Sequence, residues 1–165
     1  MTTPDETRAA VEARAADEAR AAVEAYLHEH IPISSAMGIT VVHADVNGVA
    51  LQAPLEPNVN HRSTAFGGSC ASVAILAAWT LVHLRVRAAG FEGRVVIQRG
   101  ATDYLLPIQG PFVATCAAPD QSAWDRFLRA LHRRGQARIE LDAVVTSEGK
   151  TVATFRGAYV AIATP

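Results

Sequence analysis

The sequence predicts an α+β domain in which a curved, mainly antiparallel sheet wraps around one buried helix. Three observations carry this expectation. From Ser69 to Leu84 the chain has no Asp, Glu, Lys or Arg, and a helix apolar on every side must be enclosed by protein. Around that run stand six segments rich in β-branched and aromatic residues, separated by turn signals. Their order along the chain is hairpin, apolar helix, hairpin, short helix, hairpin.

At 165 residues the chain is long enough for one domain with a sizeable core. Half of its residues are hydrophobic, which excludes a disordered chain. A formal net charge of −1 gives no reason to expect nucleic acid or an anionic membrane as partner. The apolar run is shorter than the ~20 residues that cross a bilayer. Cys70 and Cys116 lie far apart within apolar stretches and read as buried free thiols in a reducing compartment. The start, MTTPDETRAAVEARAADEAR, carries acids and no continuous apolar region, so it reads as neither a secretory signal nor a transit peptide. A cytoplasmic protein is expected.

Residues 1–30 form the first unit, an alanine-, glutamate- and arginine-rich helical extension, and residues 31–165 the second, a single domain. Val11, Ala15, Ala19, Ala22, Val23, Tyr26 and Leu27 recur at helical spacing in the extension, and Pro32 makes Ile31 its stopping point. Arg8–Glu12, Arg14–Glu18 and Arg20–Glu24 are placed to pair one turn apart. GITVVHADV and VALQAP then read as strands joined by a tight type I′ turn at Asn47-Gly48. The apolar helix follows and ends near Gly90, which fits a glycine C-cap. RVVIQRGATDYLL and PFVATCAA read as a second hairpin about PIQG, and QARIELDAVVTS and TVATFRGAYVAIA as a third about SEGK. Between these two, Trp124, Phe127, Leu128 and Leu131 mark one apolar face of a short amphipathic helix. This order fits the hotdog architecture. An open sheet of this kind has edges that invite pairing with another copy, so a homodimer or a dimer of dimers is expected.

The chemistry-bearing stretch is NVNHRSTAFGGS, from Asn58 to Ser69. Two glycines at a helix entrance leave the backbone unshielded. The first turn of a helix offers unpaired N–H donors and the positive end of the macrodipole. Together they suit a carbonyl oxygen that gains negative charge, as in an oxyanion hole. Gly68 is the candidate donor, with Ser69 as a second, while Asn60 is placed to hold a water or the carbonyl. Structural alternatives exist for each residue: a tight turn for Gly67-Gly68, an N-cap for Ser69, and backbone-bonding turn residues for Asn58 and Asn60. His61 stands alone in the polar loop beside the glycines.

PISSAMGI, APLEPNVNHRSTAFGGS, the Tyr104–Pro107 stretch YLLP and WDRFLRALHRRGQARIEL together resemble one branch of the hotdog thioesterases, the bacterial family named after the YiiD C-terminal domain. The resemblance spans roughly residues 24–162. Its most specific part is Asn-x-Asn-x-x-x-Thr-x-Phe-Gly-Gly-Ser, matched by Asn58, Asn60, Thr64, Phe66, Gly67, Gly68 and Ser69. It implies hydrolysis of acyl thioesters on coenzyme A or an acyl carrier protein; Asn60 and Gly68 are then expected in the chemistry, with His61 or Asp103 as general base. Asn58, Thr64, Phe66, Gly67 and Ser69 would then shape the substrate site. No cofactor and no metal are implied.

The chain departs from the family pattern at Ser63, where glycine is common, and at Gln98 and Arg99, where an acid is common. Many hotdog thioesterases also carry a catalytic acid on the central helix, and none lies between Ser69 and Gly90. A base must then come from His61 or Asp103. Two other readings keep the fold: a dehydratase using His61, whose loop pattern is missing, and a module that binds an acyl group without turnover. Gly67-Gly68-Ser69-Cys70-Ala71 lacks the final glycine of a serine-hydrolase elbow. His28 and His30 stand two apart, off any common helix face, and His43, His83 and His132 read as structural. Arg126, Arg129, Arg133 and Arg134 line the polar side of the short helix, as a solvated face or a landing place for phosphates or an acidic carrier.

Overall fold

The computed structural model describes residues 4–164; the first three residues of the extension and Pro165 lie outside the described residues. Helix α1 (Pro4–His30) is exposed from residue 6 to residue 22 and docks only by its last turns, where Leu27 is buried. Arg8–Glu12 and Arg14–Glu18 pair as expected, both at 2.9 Å. Arg20 instead pairs with Asp17 at 3.0 Å, because Glu24 is used elsewhere: its carboxylate accepts the Val41 backbone N–H at 2.7 Å. His28 Nε2–H donates to the Ile39 carbonyl at 2.8 Å. Two side chains of α1 thus satisfy backbone groups where the first strand begins. Pro32 stops α1 and at once opens a five-residue helix, α2 (Pro32–Ala36), since proline fits the first helical position.

Six strands form one antiparallel sheet: β1 (Thr40–Ala44), β2 (Gly48–Ala53), β3 (Gly93–Tyr104), β4 (Phe112–Ala117), β5 (Gln136–Ser147) and β6 (Lys150–Ala163), in spatial order β1-β2-β4-β5-β6-β3. The second expected hairpin does not form. β3 pairs with β6 at one edge, whereas β4 lies between β2 and β5. The link from Leu105 to Pro111 crosses over instead of turning back, tied by the Leu105 and Leu106 N–H groups to the Val152 carbonyl at 2.8 and 3.1 Å.

The β1–β2 hairpin forms, but not with the type I′ turn expected at Asn47-Gly48. Neither Asn47 nor Gly48 has positive φ; Asp45 Oδ1 accepts the N–H groups of both, at 2.7 and 3.0 Å, and closes the β1–β2 turn from its own side chain. Positive φ at two successive positions, the type I′ pattern, occurs in the β5–β6 turn, at Glu148 (φ 50) and Gly149 (φ 74).

Helix α3 (Gly67–Ala88) lies against the sheet, with Val73, Ala74, Ala77, Ala78 and Leu81 fully buried. The helix is long and apolar enough by length and composition to cross a membrane, but 56% of its most apolar window is buried inside the protein. Enclosure is not complete: Ser72, Ile75, Trp79 and His83 form a half-buried stripe on its remaining side. Ala89 caps it and Gly90 takes the left-handed turn at φ +81. Helix α4 (Gln121–Arg134) buries Trp124, Phe127 and Leu131. It packs by the far end of α3, where the Arg85 guanidinium lies 4.4 Å from the centroid of the Trp124 ring. Cys70 and Cys116 are free and buried.

Candidate active site at the entrance of the central helix

The chain reaches α3 through a loop that is braced mainly by two asparagines. Asn58 is 2% exposed and ends a short 3-10 turn, Glu56–Asn58. Its Nδ2 donates to the carbonyls of Met37 and Pro54 at 2.9 and 2.8 Å, and its own carbonyl accepts the Phe66 N–H at 2.7 Å. Asn60 folds the next turn onto itself. Its Nδ2 donates to Thr64 Oγ1 at 2.9 Å and to the Ala65 carbonyl at 3.2 Å, while its Oδ1 accepts the N–H groups of Arg62 and Thr64 at 2.8 and 3.3 Å. Ser63 sits inside this turn at φ 59. That left-handed conformation favours glycine.

Phe66 is the N-cap of α3 and makes no side-chain cap, and no acid stands in the first turn. Cys70 N–H is the first to bond back along the helix, to the Phe66 carbonyl at 3.1 Å. The N–H groups of Gly67, Gly68 and Ser69 therefore have no acceptor among the described residues. They are the orphan donors of a helix start, reinforced by its macrodipole. Ser69 lies inside the helix and is not its cap.

Two spaces lie near this entrance, and of the three donor residues Gly67 alone lines one of them. A cleft of about 310 Å³ opens between the helix entrance, with Gly67 and Cys70, and the crossing segment from Tyr104 to Ile108. Tyr104 Oη donates to the Gly67 carbonyl at 2.9 Å, and its ring lies 3.3 Å from where a Cβ on Gly67 would stand. On the other side, the Phe66 ring folds over Gly68, so a Cβ there would drive the ring away. Phe66 is 57% exposed. Below it, the half-buried stripe of α3 and α2 bound an apolar groove of about 220 Å³.

The predicted residues divide into three groups. Gly67, Gly68, Ser69 and Phe66 converge on the helix entrance. Asn58, Asn60 and Thr64 shape the loop, with the amide of Asn60 fully engaged within it. His61 is exposed beside them and makes no hydrogen bond with a described residue. Asp103 stands apart. It precedes Tyr104 on β3, and successive strand side chains point to opposite faces, so the strand that aims Tyr104 at Gly67 aims Asp103 away from it. The arginine face of α4 is also remote: Arg85, beside α4, lies ~25 Å along the helix axis from Gly68 at 1.5 Å per residue.

Sequence spacing alone does not place Tyr104 beside the cleft or Trp79 beside the groove. Tyr104 reaches Gly67 only through the crossing of the β3–β4 link. Trp79 Nε1–H donates to the Val95 carbonyl at 2.7 Å, and neither partner signals the other in sequence. Burial pushes the Cys70 thiol up to about 11, so it has no nucleophilic character despite its place beside the cleft. Among the described residues no group of three or more metal-ligating side chains converges.

A sheet curved about a long central helix, with its one uncapped glycine entrance opening on a cleft, defines a hotdog-fold domain. A family model described as "Putative thioesterase (yiiD_Cterm)" matches residues 20–163, and the chain belongs to that family. Solved structures agree. A protein of unknown function from Chlorobaculum tepidum is 32% identical with a TM-score of 0.83, over 90% of this chain and 97% of that one. A structure described as a "putative thioesterase" from Shewanella oneidensis is 27% identical with a TM-score of 0.78, over 88% and 99%. A Pseudomonas aeruginosa protein at 19% identity and TM-score 0.73, over 86% and 94%, shares the fold.

Proposed function

We propose that the protein hydrolyses acyl thioesters carried by coenzyme A or an acyl carrier protein. The observation that carries this reading is the set of uncapped N–H groups at Gly67, Gly68 and Ser69, with Gly67 lining an open cleft. The thioester oxygen accepts the Gly68 N–H, with that of Ser69 as second donor, as the carbonyl carbon becomes tetrahedral. Water adds its oxygen to that carbon and gives a proton to a base. The carbon–sulfur bond then breaks, and the departing thiolate takes up a proton, leaving a carboxylic acid and a thiol.

His61, exposed on the loop before the entrance, is the base available within one copy. Asp103 would enter a site only across a subunit boundary, and the sheet has an edge suited to one. β1 is flanked by α1 through Glu24 and His28, whereas β3, twelve residues long and largely exposed, ends the sheet on the other side. A second copy pairing along β3 would form a homodimer. Two buried free thiols suit a reducing, cytoplasmic setting.

A second reading, acyl binding without turnover, draws on one observation: α3 contains no acid. Free-thiol release from a panel of acyl-CoA and acyl-carrier substrates separates the two. Thiol release above the uncatalysed rate supports hydrolysis. A raised melting temperature with no release would replace it by binding alone.

A further inference from the structure

We infer that Trp79 is the floor of the acyl site and sets the longest chain the protein accepts, an inference that rests on the thioester reading above. Gly68, Ser72, Ile75 and Trp79 follow one another at helical spacing on a single face of α3, and Ser72 Oγ–H donates to the Gly68 carbonyl at 2.7 Å. The groove of about 220 Å³ that runs down this face, walled by Ile33 and Met37, ends at Trp79. A second apolar cavity of about 260 Å³ begins on the other side of the same indole, between α1 and the last turns of α3. Trp79 lines both.

The indole is fixed as a partition. Its N–H is held by the Val95 carbonyl at 2.7 Å, and its ring stacks on His83 at 4.9 Å and 11°. His83 stacks in turn on Tyr26 of α1 at 4.9 Å. A side chain held at its edge and on one face does not swing aside.

The occupant follows from chemistry and length. The upper groove is almost wholly apolar and begins at Ser72, one helical turn along the same face from Gly68. Gly68 to Trp79 spans ~16 Å along the axis. With carbon–carbon bonds of about 1.5 Å an extended chain advances roughly 1.3 Å per carbon, so about twelve carbons reach the indole. Removing it joins the two cavities end to end and adds the length from Trp79 to Arg87, ~12 Å.

The test compares the wild-type protein, Trp79→Ala, Trp79→Phe and Ile75→Trp on saturated acyl-CoA substrates from C4 to C18, following thiol release. The wild type should fall off beyond about C12. Trp79→Ala should raise the C16-to-C10 ratio of kcat/KM at least tenfold, Trp79→Phe should keep the wild-type limit, and Ile75→Trp, which fills the groove one turn higher, should shift the limit to shorter chains. Calorimetric binding of S-alkyl-CoA thioethers of the same lengths gives a readout that needs no turnover. If no thioester is hydrolysed but the binding limits move as stated, the hydrolase reading fails and the assignment of Trp79 stands. Identical length profiles, in rate and in binding, for folded Trp79→Ala and Ile75→Trp overturn it. So does a change of oligomeric mass in these variants without a change of profile, which would make the groove a seat for a second copy.

Discussion

Replacing Asn60 by alanine removes a side-chain amide that makes four hydrogen bonds within six residues. The bonds to Thr64 Oγ1 and the Ala65 carbonyl are part-buried, and losing them costs about 1 kcal/mol each. The bond from the exposed Arg62 N–H is replaced by water, and the one from Thr64 N–H is long, at 3.3 Å; together they add about 0.5–1 kcal/mol. The variant should therefore be less stable by about 2–3 kcal/mol. For a chain of this size that corresponds to a fall in Tm of roughly 5–10 °C, if the loop unfolds with the rest. The same loop places Phe66 and the first turn of α3, so thiol release should drop at least tenfold in parallel. Thr64→Val removes one partner, and a double-mutant cycle between the two should give a coupling of about 1 kcal/mol. Scanning calorimetry and thiol release, measured on the same samples, decide the matter. Lost activity at wild-type Tm would refute the reasoning, because Asn60 would then act on substrate and not on the loop.

Ser63→Gly relieves a left-handed residue and should stabilise the protein by about 1 kcal/mol; an unchanged or lower Tm would contradict the strain argument. Tyr104→Phe deletes the hydrogen bond to the Gly67 carbonyl on an exposed side chain, so Tm should change little while kcat falls severalfold, as steady-state kinetics will show. Burial pushes Cys70 up from 9.0 to about 11 and Cys116 to about 12. Folded thiols that hold their protons more tightly than unfolded ones stabilise the fold fully below pH 9, and that stability is lost as pH rises through 11 and 12. Denaturant midpoints should accordingly decline above pH 9, and neither thiol should react with a thiol reagent at pH 8 in the native protein.

Much of the fold was legible because each signal was local. The charge-free run, the Trp124–Leu131 spacing and the β5–β6 hairpin with its turn at Glu148-Gly149 stand in the structure as the residues suggest. The β3–β4 pairing failed because adjacency in sequence was the only argument for it. Nothing in PIQG tells a turn from a crossing, and the partner that β3 takes, β6, lies beyond three intervening elements. Asn47-Gly48 misled for a different reason: a carboxylate two residues upstream closes the turn without positive φ. Helix α2 and the Arg20–Asp17 pair depend on what Glu24 and Pro32 do in three dimensions.

The site followed the same division. The glycine entrance was readable from composition and helix physics alone. The roles of Asn58 and Asn60 as braces were not, because a side chain that bonds its own loop and one that bonds a substrate look alike in sequence. Tyr104 and Trp79 came into view only when the crossing link and the β3 backbone were placed.

The most direct test removes one donor while keeping the helix. Proline is tolerated in the first turn of a helix, where its missing N–H breaks no intrahelical bond. Gly68→Pro and Gly68→Ala both add a Cβ that displaces the Phe66 ring, but only proline deletes the N–H. At matched Tm, kcat for thiol release by Gly68→Pro should fall about 100-fold or more below that of Gly68→Ala, the usual loss for one oxyanion donor. Equal rates in the two folded variants would contradict the claim that the entrance of α3 holds the thioester oxygen.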